Sequence, residues 1–294
     1  MLLRHLRYLL AVAEHGNFTR AAEALHVSQP TLSLQIRQLE EALGVQLLDR
    51  SSRSVRPTDM GAVYIEHARR ALRELAAGER AVHDVQTLAR GTLRLAMTPT
   101  LTSYLTGPLI AGYHARHPGI ALRIDEMPLD AIALALAADE VDLGLAFSTV
   151  QSPELESQAL FTEELSVVVS AGHPLARRRT PLTPAMLHGA AMAMLNTSFA
   201  TRTHIDTYFQ AQGVVPRVAI EANTISALLE IIRRGELATI LPSAITTEQR
   251  ELRALTLTPP LPRRTVAMLY RRDSYRSAAA SAFAALVHDW LPAA

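Results

Sequence analysis

Residues 18–40 read FTRAAEALHVSQPTLSLQIRQLE. Two short helical patterns flank a break at HVSQP. Phe18, Ala21, Ala22 and Leu25 share one face of the first, and Leu32, Ile36, Leu39 and Leu43 share one face of the second. Ser28 is suited to cap the second helix. Pro30 in its first turn costs little, because the first amides of a helix have no intrahelical partner. Gly44 is placed to stop it. Burying Leu32, Ile36 and Leu39 turns Gln29, Ser33 and Arg37 outward along one stripe, with Thr31 and Leu34 beside it. That face is short, polar and uncharged before Arg37, whereas most solvated helix faces are crowded with charge. Small polar side chains let a helix approach base edges in the DNA major groove. Glutamine can pair with adenine, serine serves either base type, and an apolar side chain can meet a thymine methyl. The two helices and their tight turn are therefore read as a helix-turn-helix.

Working outward, a first helix is expected from about Leu3 to His15, closed by Gly16. Arg4 and Arg7 before YLLAVA imitate an export signal, but the apolar run is shorter than the about 7–15 residues of such a segment. Leu6, Leu9, Leu10 and Ala13 stand at helical spacing, so a core helix is expected. On the other side, VQLLDRSSRSVRPT (residues 45–58) reads as two extended pieces around a Ser/Arg tip, a β-hairpin or wing. Arg50, Arg53 and Arg56 lie there with no acid between them, placed for phosphate or the minor groove. A long helix should then run from after Thr58 to about Ala89. Ala68, Leu75, Val82 and Ala89 recur every seven residues, with Ile65 and Leu72 three before the first two; Glu79 interrupts this seam. A helix so long and thinly apolar is read as pairing with a second copy.

The rest of the composition bounds the class. The chain has 294 residues, 49% hydrophobic and 19% charged, enough for packed cores and about two domains. Formal net charge is only +1, and every basic residue other than histidine is arginine. Over residues 1–58 seven arginines face five acids, so the positive excess is local to the proposed DNA-contacting segment. Cysteine is absent, which removes disulfides, thiolate metal sites and a cysteine nucleophile, and fits a cytoplasmic location. No run reaches the about 18 apolar residues of a membrane span, so no membrane partner is expected. There is no nucleophile elbow, Walker loop, dinucleotide fingerprint or H-E-x-x-H. Neither an enzyme, a metal nor a cofactor is expected.

After Gly91 short apolar strands (TLRLAM, ALRIDEM, VDLGLAF, LSVVVS, AAMAML, RVAIEA, LATIL, VAMLY) alternate with helical stretches such as SYLTGPLIAGYHARH and ISALLEIIRRG. This argues an α/β sheet of mostly parallel strands, built as one large sheet or two lobes.

Residues 18–50, FTRAAEALHVSQPTLSLQIRQLEEALGVQLLDR, followed by TDMG at 58–61, resemble the winged helix-turn-helix of LysR-type transcriptional regulators. The resemblance extends along the whole chain. It implies an α+β multidomain fold: a winged helix-turn-helix DNA-binding domain at 1–58, a linker dimerisation helix at 59–90, and a two-lobed, periplasmic-binding-protein-like effector domain at 91–294. Within the family, YLLAVAEHGNFTRAA, TPTLTSYLTGPL, SPELE, FATR and IEANTISALLEIIRR are most similar to the cyanate-responsive activators of cyanase operons. By that resemblance Gln29, Pro30 and Ser33 face bases, Thr19, Thr31 and Arg37 contact the backbone, and Arg53 is a wing contact. Leu34 departs from the more usual polar or basic residue. The implied partners are double-stranded operator DNA, a small effector such as cyanate or a similar anion, RNA polymerase, and further copies of the chain in a homodimer or homotetramer.

Three strand ends place hydroxyl or amide side chains beside helix starts: Thr98, Thr100, Thr102 and Ser103 after TLRLAM; Asn196 to Phe199 after AAMAML; Asn223 and Thr224 after RVAIEA. Ligands of open α/β lobes bind at such strand ends, where helix N-termini favour anions. Thr98, Thr100, Thr102, Ser103, Asn196, Phe199 and Thr224 are therefore the candidate effector contacts. At about 1.5 kcal/mol per heavy atom, a three-atom anion reaches only a millimolar-range dissociation constant. A small carboxylate is the competing effector. A solute-binding protein or hydrolase of α/β type is the competing class, and it leaves residues 1–90 unexplained.

Overall fold

The computed structural model describes residues 3–51, 54–84, 91–148, 152–247, 249–272 and 274–290, with the side chains of 80–84 set aside. The chain forms two compact units, Met1–Val85 and Gln86–Ala294.

The first unit contains α1 (Leu3–His15), α2 (Phe18–Ala24), α3 (Gln29–Leu43), the short strands β1 (Leu48–Asp49) and β2 (Arg56–Pro57), and α4 (Asp59–Asp84). Asn17 caps α2, its side-chain oxygen accepting from the amides of Thr19 and Arg20 at 2.8 and 3.1 Å. The helix closes on His26, whose φ of 54° is left-handed. There the His26 and Val27 amides donate back to the Glu23 and Ala22 carbonyls. Ser28 caps α3, and Gly44 at φ 69° ends it. Leu9, Val12, Ala21, Ala22, Leu32, Ile36 and Leu39 form the core, joined by Ile65 from α4. Leu43 departs from its expected face: it is the last residue of α3, no further turn covers it, and it stays 38% exposed.

The wing is fastened from inside. β1 and β2 pair antiparallel, Asp49 opposite Arg56. The buried Glu40 carboxylate accepts from the Leu47 and Leu48 amides at 2.9 and 3.1 Å, which holds the start of β1 to α3. The Thr58 hydroxyl donates to the Gln46 carbonyl at 2.7 Å and accepts from the Gly61 amide at 2.9 Å, so one side chain both grips the wing and caps α4. At Gly61 any Cβ would lie 1.8 Å from the Leu47 carbonyl oxygen. Only glycine permits that approach.

The second unit runs β3 (Gly91–Met97), α5 (Pro99–Arg116), β4 (Ile120–Glu126), α6 (Leu129–Ala137), β5 (Leu143–Phe147), β6 (Leu155–Glu163), β7 (Leu165–Ser170), β8 (Ala191–Leu195), α7 (Ala200–Ala211), β9 (Arg217–Ala222), α8 (Ile225–Arg234), β10 (Thr239–Pro242), β11 (Leu252–Leu255), β12 (Arg264–Arg271) and α9 (Ala278–Trp290). It has two lobes. In the first, the sheet order is β4-β3-β5-β12-β6. Leu93, Leu95, Met97, Leu105, Tyr113 and Phe283 pack one of its faces under α5 and α9, while Ile132 and Leu136 of α6 cover the other. In the second lobe, β8 pairs with β9, and β10-β7-β11 form a three-stranded sheet; the Met192–Ala238 bridge joins the two pieces. α7 and α8 contribute to its two core clusters.

The expectation of mostly parallel strands is corrected. β3 runs parallel to β4 and β5, and β8 to β9, but β12 is antiparallel to β5 and β6, and β7 to β10 and β11. The cause is the connectivity. The chain leaves the first lobe at the end of β6 and returns at β12, and the returning strand inserts against the direction of its neighbours. Register places Arg264, the first residue of β12, opposite Glu163, the last of β6. Both passages between lobes therefore meet at one point.

Candidate DNA-reading surface and effector cleft

On α3 the side chains of Gln29, Pro30, Thr31, Leu34 and Arg37 are exposed, Leu34 by 51%, and Ser33 is half-buried at the border of the core. The Thr31 and Ser28 hydroxyls lie 2.7 Å apart, so Thr31 is partly tied into the cap. Thr19 is exposed on the first turn of α2. Arg50 has a role that its sequence position does not show. Its guanidinium donates to Glu40 at 2.7 Å and lies 5.2 Å from the Phe18 ring centroid. It braces wing to helix, so a phosphate would have to compete with Glu40. Arg56 is exposed on β2. Hydrogen bonds from Ser51, and more weakly the Arg56 charge, hold the Asp49 carboxyl below the usual carboxylate range. Arg53 lies outside the described residues. So do Ala89 and the side chain of Val82. Of the expected seam on α4, Ala68 is buried and Leu75 is 50% exposed.

In the second unit a cavity of about 640 Å³ opens between the lobes. The first lobe contributes Thr98, Pro99 and Thr100 after β3, Glu126 to Asp130 after β4, and Phe147 at the end of β5. The second contributes Thr197 to Thr201 and Thr203 around the start of α7, and Asn223 after β9. Every one of these strands presents its carboxyl end.

Three helices start in this wall, and none is capped by a side chain: α5 at Thr98, α6 at Pro128 and α7 at Phe199. Pro99 opens α5 without an amide, and the Leu101 and Arg202 amides donate to the Thr98 and Phe199 carbonyls, so what the three starts share is the positive end of a helix dipole facing the cavity. At its base Thr98 is 5% and Thr201 2% exposed. The Thr98 hydroxyl has no hydrogen-bond partner among the described residues. Met127, Pro128, Leu129, Ala133, Phe147 and Phe199 make much of the remaining lining apolar.

Of the seven expected effector residues, Thr98, Thr100 and Phe199 line the cleft. The other four serve local structure. The Thr102 hydroxyl shares its one proton between Glu126 and the Pro99 carbonyl, and Ser103 donates to the Thr100 carbonyl. Asn196 accepts from Ser198, and Thr224 caps α8 through the Ala227 amide. Each hydroxyl or amide near a helix start satisfies a neighbouring backbone or side-chain group. Sequence reasoning missed Thr201 and Thr203, in the first turn of α7, and Phe147 at the end of an apolar strand.

A helix-turn-helix head and a two-lobed α/β unit with a ligand-sized cleft define a DNA-binding regulator carrying an effector-binding domain. Comparison with known proteins narrows this. Residues 3–62 match the bacterial regulatory helix-turn-helix protein, lysR family, and residues 86–292 match the LysR substrate binding domain. The RuBisCO operon transcriptional regulator of Allochromatium vinosum is 31% identical over 284 residues, 96% of this chain and 93% of that protein. The DNA-binding transcriptional dual regulator OxyR of Escherichia coli K12 is 32% identical over 278 residues, covering 93% and 90%. The structure of a full-length OxyR variant from Pseudomonas aeruginosa superposes with a TM-score of 0.70 at 24% identity, over 98% of this chain and 94% of that one. The chain belongs to the LysR family of transcriptional regulators, and it is not an enzyme. Among the described residues no helix is long and apolar enough to cross a membrane.

Proposed function

We propose that this regulator activates its target operon in response to a small organic anion held in the interlobe cleft. The observation that carries the reading is the convergence of three uncapped helix N-termini on a cavity whose base holds the unpartnered Thr98 hydroxyl. Cyanate, which the effector-domain strings favour, is too small to reach all of these helix starts at once and fills little of about 640 Å³. A small carboxylate with an apolar body uses both the donors and the apolar lining, so it is the better fit. Some relatives are named hydrogen peroxide-inducible genes activators. This chain contains no cysteine, so a thiol response to peroxide is closed to it.

On DNA, Gln29, Pro30 and Ser33 read bases, and Thr19, Thr31, Arg37 and Arg53 contact the phosphate backbone. Arg50 supports the wing from behind. The active species is a homodimer or homotetramer joined through α4, acting in the cytoplasm on double-stranded operator DNA and RNA polymerase. The effector works by binding one arrangement of the lobes better than another.

The test has two arms. Selection from a random duplex library followed by gel shift yields an operator, and failure to enrich any sequence would remove the DNA-reading assignment. Calorimetry with cyanate, acetate and butyrate, on the parent and on Thr98→Val, tests the cleft. Loss of the one hydroxyl should weaken the anion that binds by about tenfold. If none binds at about tens of millimolar, well above the millimolar ceiling for the smallest of them, the small-anion reading fails.

A further inference from the structure

The described lining of the cleft offers an anion no positive side chain of its own. Among its described lining residues Glu126 and Asp130 are acidic, and none is arginine or histidine. A buried cation stands directly behind the wall. Arg264, whose side chain is 9% exposed, donates through Nη1 to the Thr201 hydroxyl oxygen at 2.9 Å. Its guanidinium carbon lies 3.9 Å from the Phe147 ring centroid. Thr201 and Phe147 both line the cavity.

The guanidinium is held in place by Glu163, whose side chain is 2% exposed. Arg264 Nη2 is ion-paired to one carboxylate oxygen, and the Tyr104 hydroxyl donates to the other at 2.8 Å. Burial, and next the Glu163 charge, push the Tyr104 phenol far above its ordinary range, so it remains a donor. Arg264 Nε is buried without a partner among the described residues. Such a pair is an expensive way to fill space. Desolvating two charges offsets most of their attraction, and apolar residues of the same volume often pack as stably. The pair also sits at the one point where both passages between lobes meet.

We propose that Arg264 is a specificity-determining residue of the effector cleft, acting through Thr201 so that the cleft selects an anionic group over its neutral isostere. A threonine hydroxyl has one proton to give. With Arg264 occupying the oxygen, the Thr201 proton is directed elsewhere, and the cleft is the open side. Donation by a cation also strengthens the onward hydrogen bond, most of all when the final acceptor is charged. Thr98, on the other lobe, holds a buried hydroxyl with no partner among the described residues. An anion held by both hydroxyls spans the two lobes. This inference rests on the small-anion reading of the cleft.

The experiment measures butyrate and butyramide, isosteres that differ in charge, on the full chain by calorimetry. The double variant Glu163→Gln/Arg264→Met removes both buried charges together, so neither is stranded, and circular dichroism checks that it folds. The parent should prefer butyrate by about tenfold or more, and the double variant should bring the ratio near unity. A merely structural role would weaken both probes alike. Thr201→Val, which cuts the relay without touching the ion pair, should reproduce the collapse and decides the matter if the double variant does not fold. An unchanged ratio in a folded variant overturns the role of Arg264 while leaving the anion site standing. A parent that binds neither probe, or both equally, overturns the anion reading and this inference with it.

Discussion

On the proposed reading, Gln29 and Thr98 carry the function at the scale of single residues. Gln29 projects freely from α3 beside the helix start. Gln29→Ala should cost about 1–3 kcal/mol on the selected operator, as for a bidentate base contact, and almost nothing on random duplex. Equal losses on both would take Gln29 out of the base-reading set. His26 carries strain instead of recognition. It holds the left-handed turn between α2 and α3, where glycine is the usual occupant. His26→Gly should therefore raise unfolding stability by about 0.5–1 kcal/mol, read as a higher urea midpoint. An unchanged midpoint would mean that histidine carries no conformational penalty there. Residue reading from sequence works where local chemistry suffices: the exposed stripe of Gln29 and Arg37, the caps at Ser28 and Gly44, and Thr98 at a strand end. It fails where a side chain's partner is distant. Nothing near Thr102 or Thr224 tells whether the hydroxyl faces a ligand or its own helix, and nothing near Thr201 announces Arg264.

Elements are legible when their periodicity is strong and their partners adjacent in sequence. α1 to α3 declare themselves by apolar spacing. β6, LESQALFTE, escapes notice because it is half polar, and β11, LRAL, because its two central positions are exposed and one is arginine. Strand direction is hidden because pairing across a crossover is a long-range choice. At this scale two substitutions are informative. Gly61→Ala places a methyl group 1.8 Å from the Leu47 carbonyl, so the first turn of α4 must separate from the wing. A loss of about 1–3 kcal/mol or more is expected by chemical denaturation. Wild-type stability would mean that the junction gives way freely. Leu75→Asp puts a charge on the half-exposed side of α4 and should lower the sedimenting mass and operator affinity together, since two heads on one duplex bind by effective concentration. An unchanged mass would place the subunit contact elsewhere.

The whole molecule is two separately cored units, and its thermodynamics should show it. Calorimetric melting should resolve into more than one transition. A bound effector at about 100 times its dissociation constant should add about 2.7 kcal/mol to the effector unit alone. A head transition that rises equally would mean that the two units melt as one. Two lobes or one large sheet is undecidable from the strand pattern, because the passage at Glu163 carries no composition signal of a boundary, and Pro259, Pro260 and Pro262 before Arg264 mark one crossing without its partner. Within the head, the Thr58 clasp has a mechanical consequence. With its hydroxyl locked to Gln46 and Gly61 pressed on Leu47, the base of the wing is fixed to the first turn of α4. A twist applied along that helix is delivered to the hairpin without slack, as by a key to its bit. Changing the angle of α4 is then enough to re-aim the wing on the duplex.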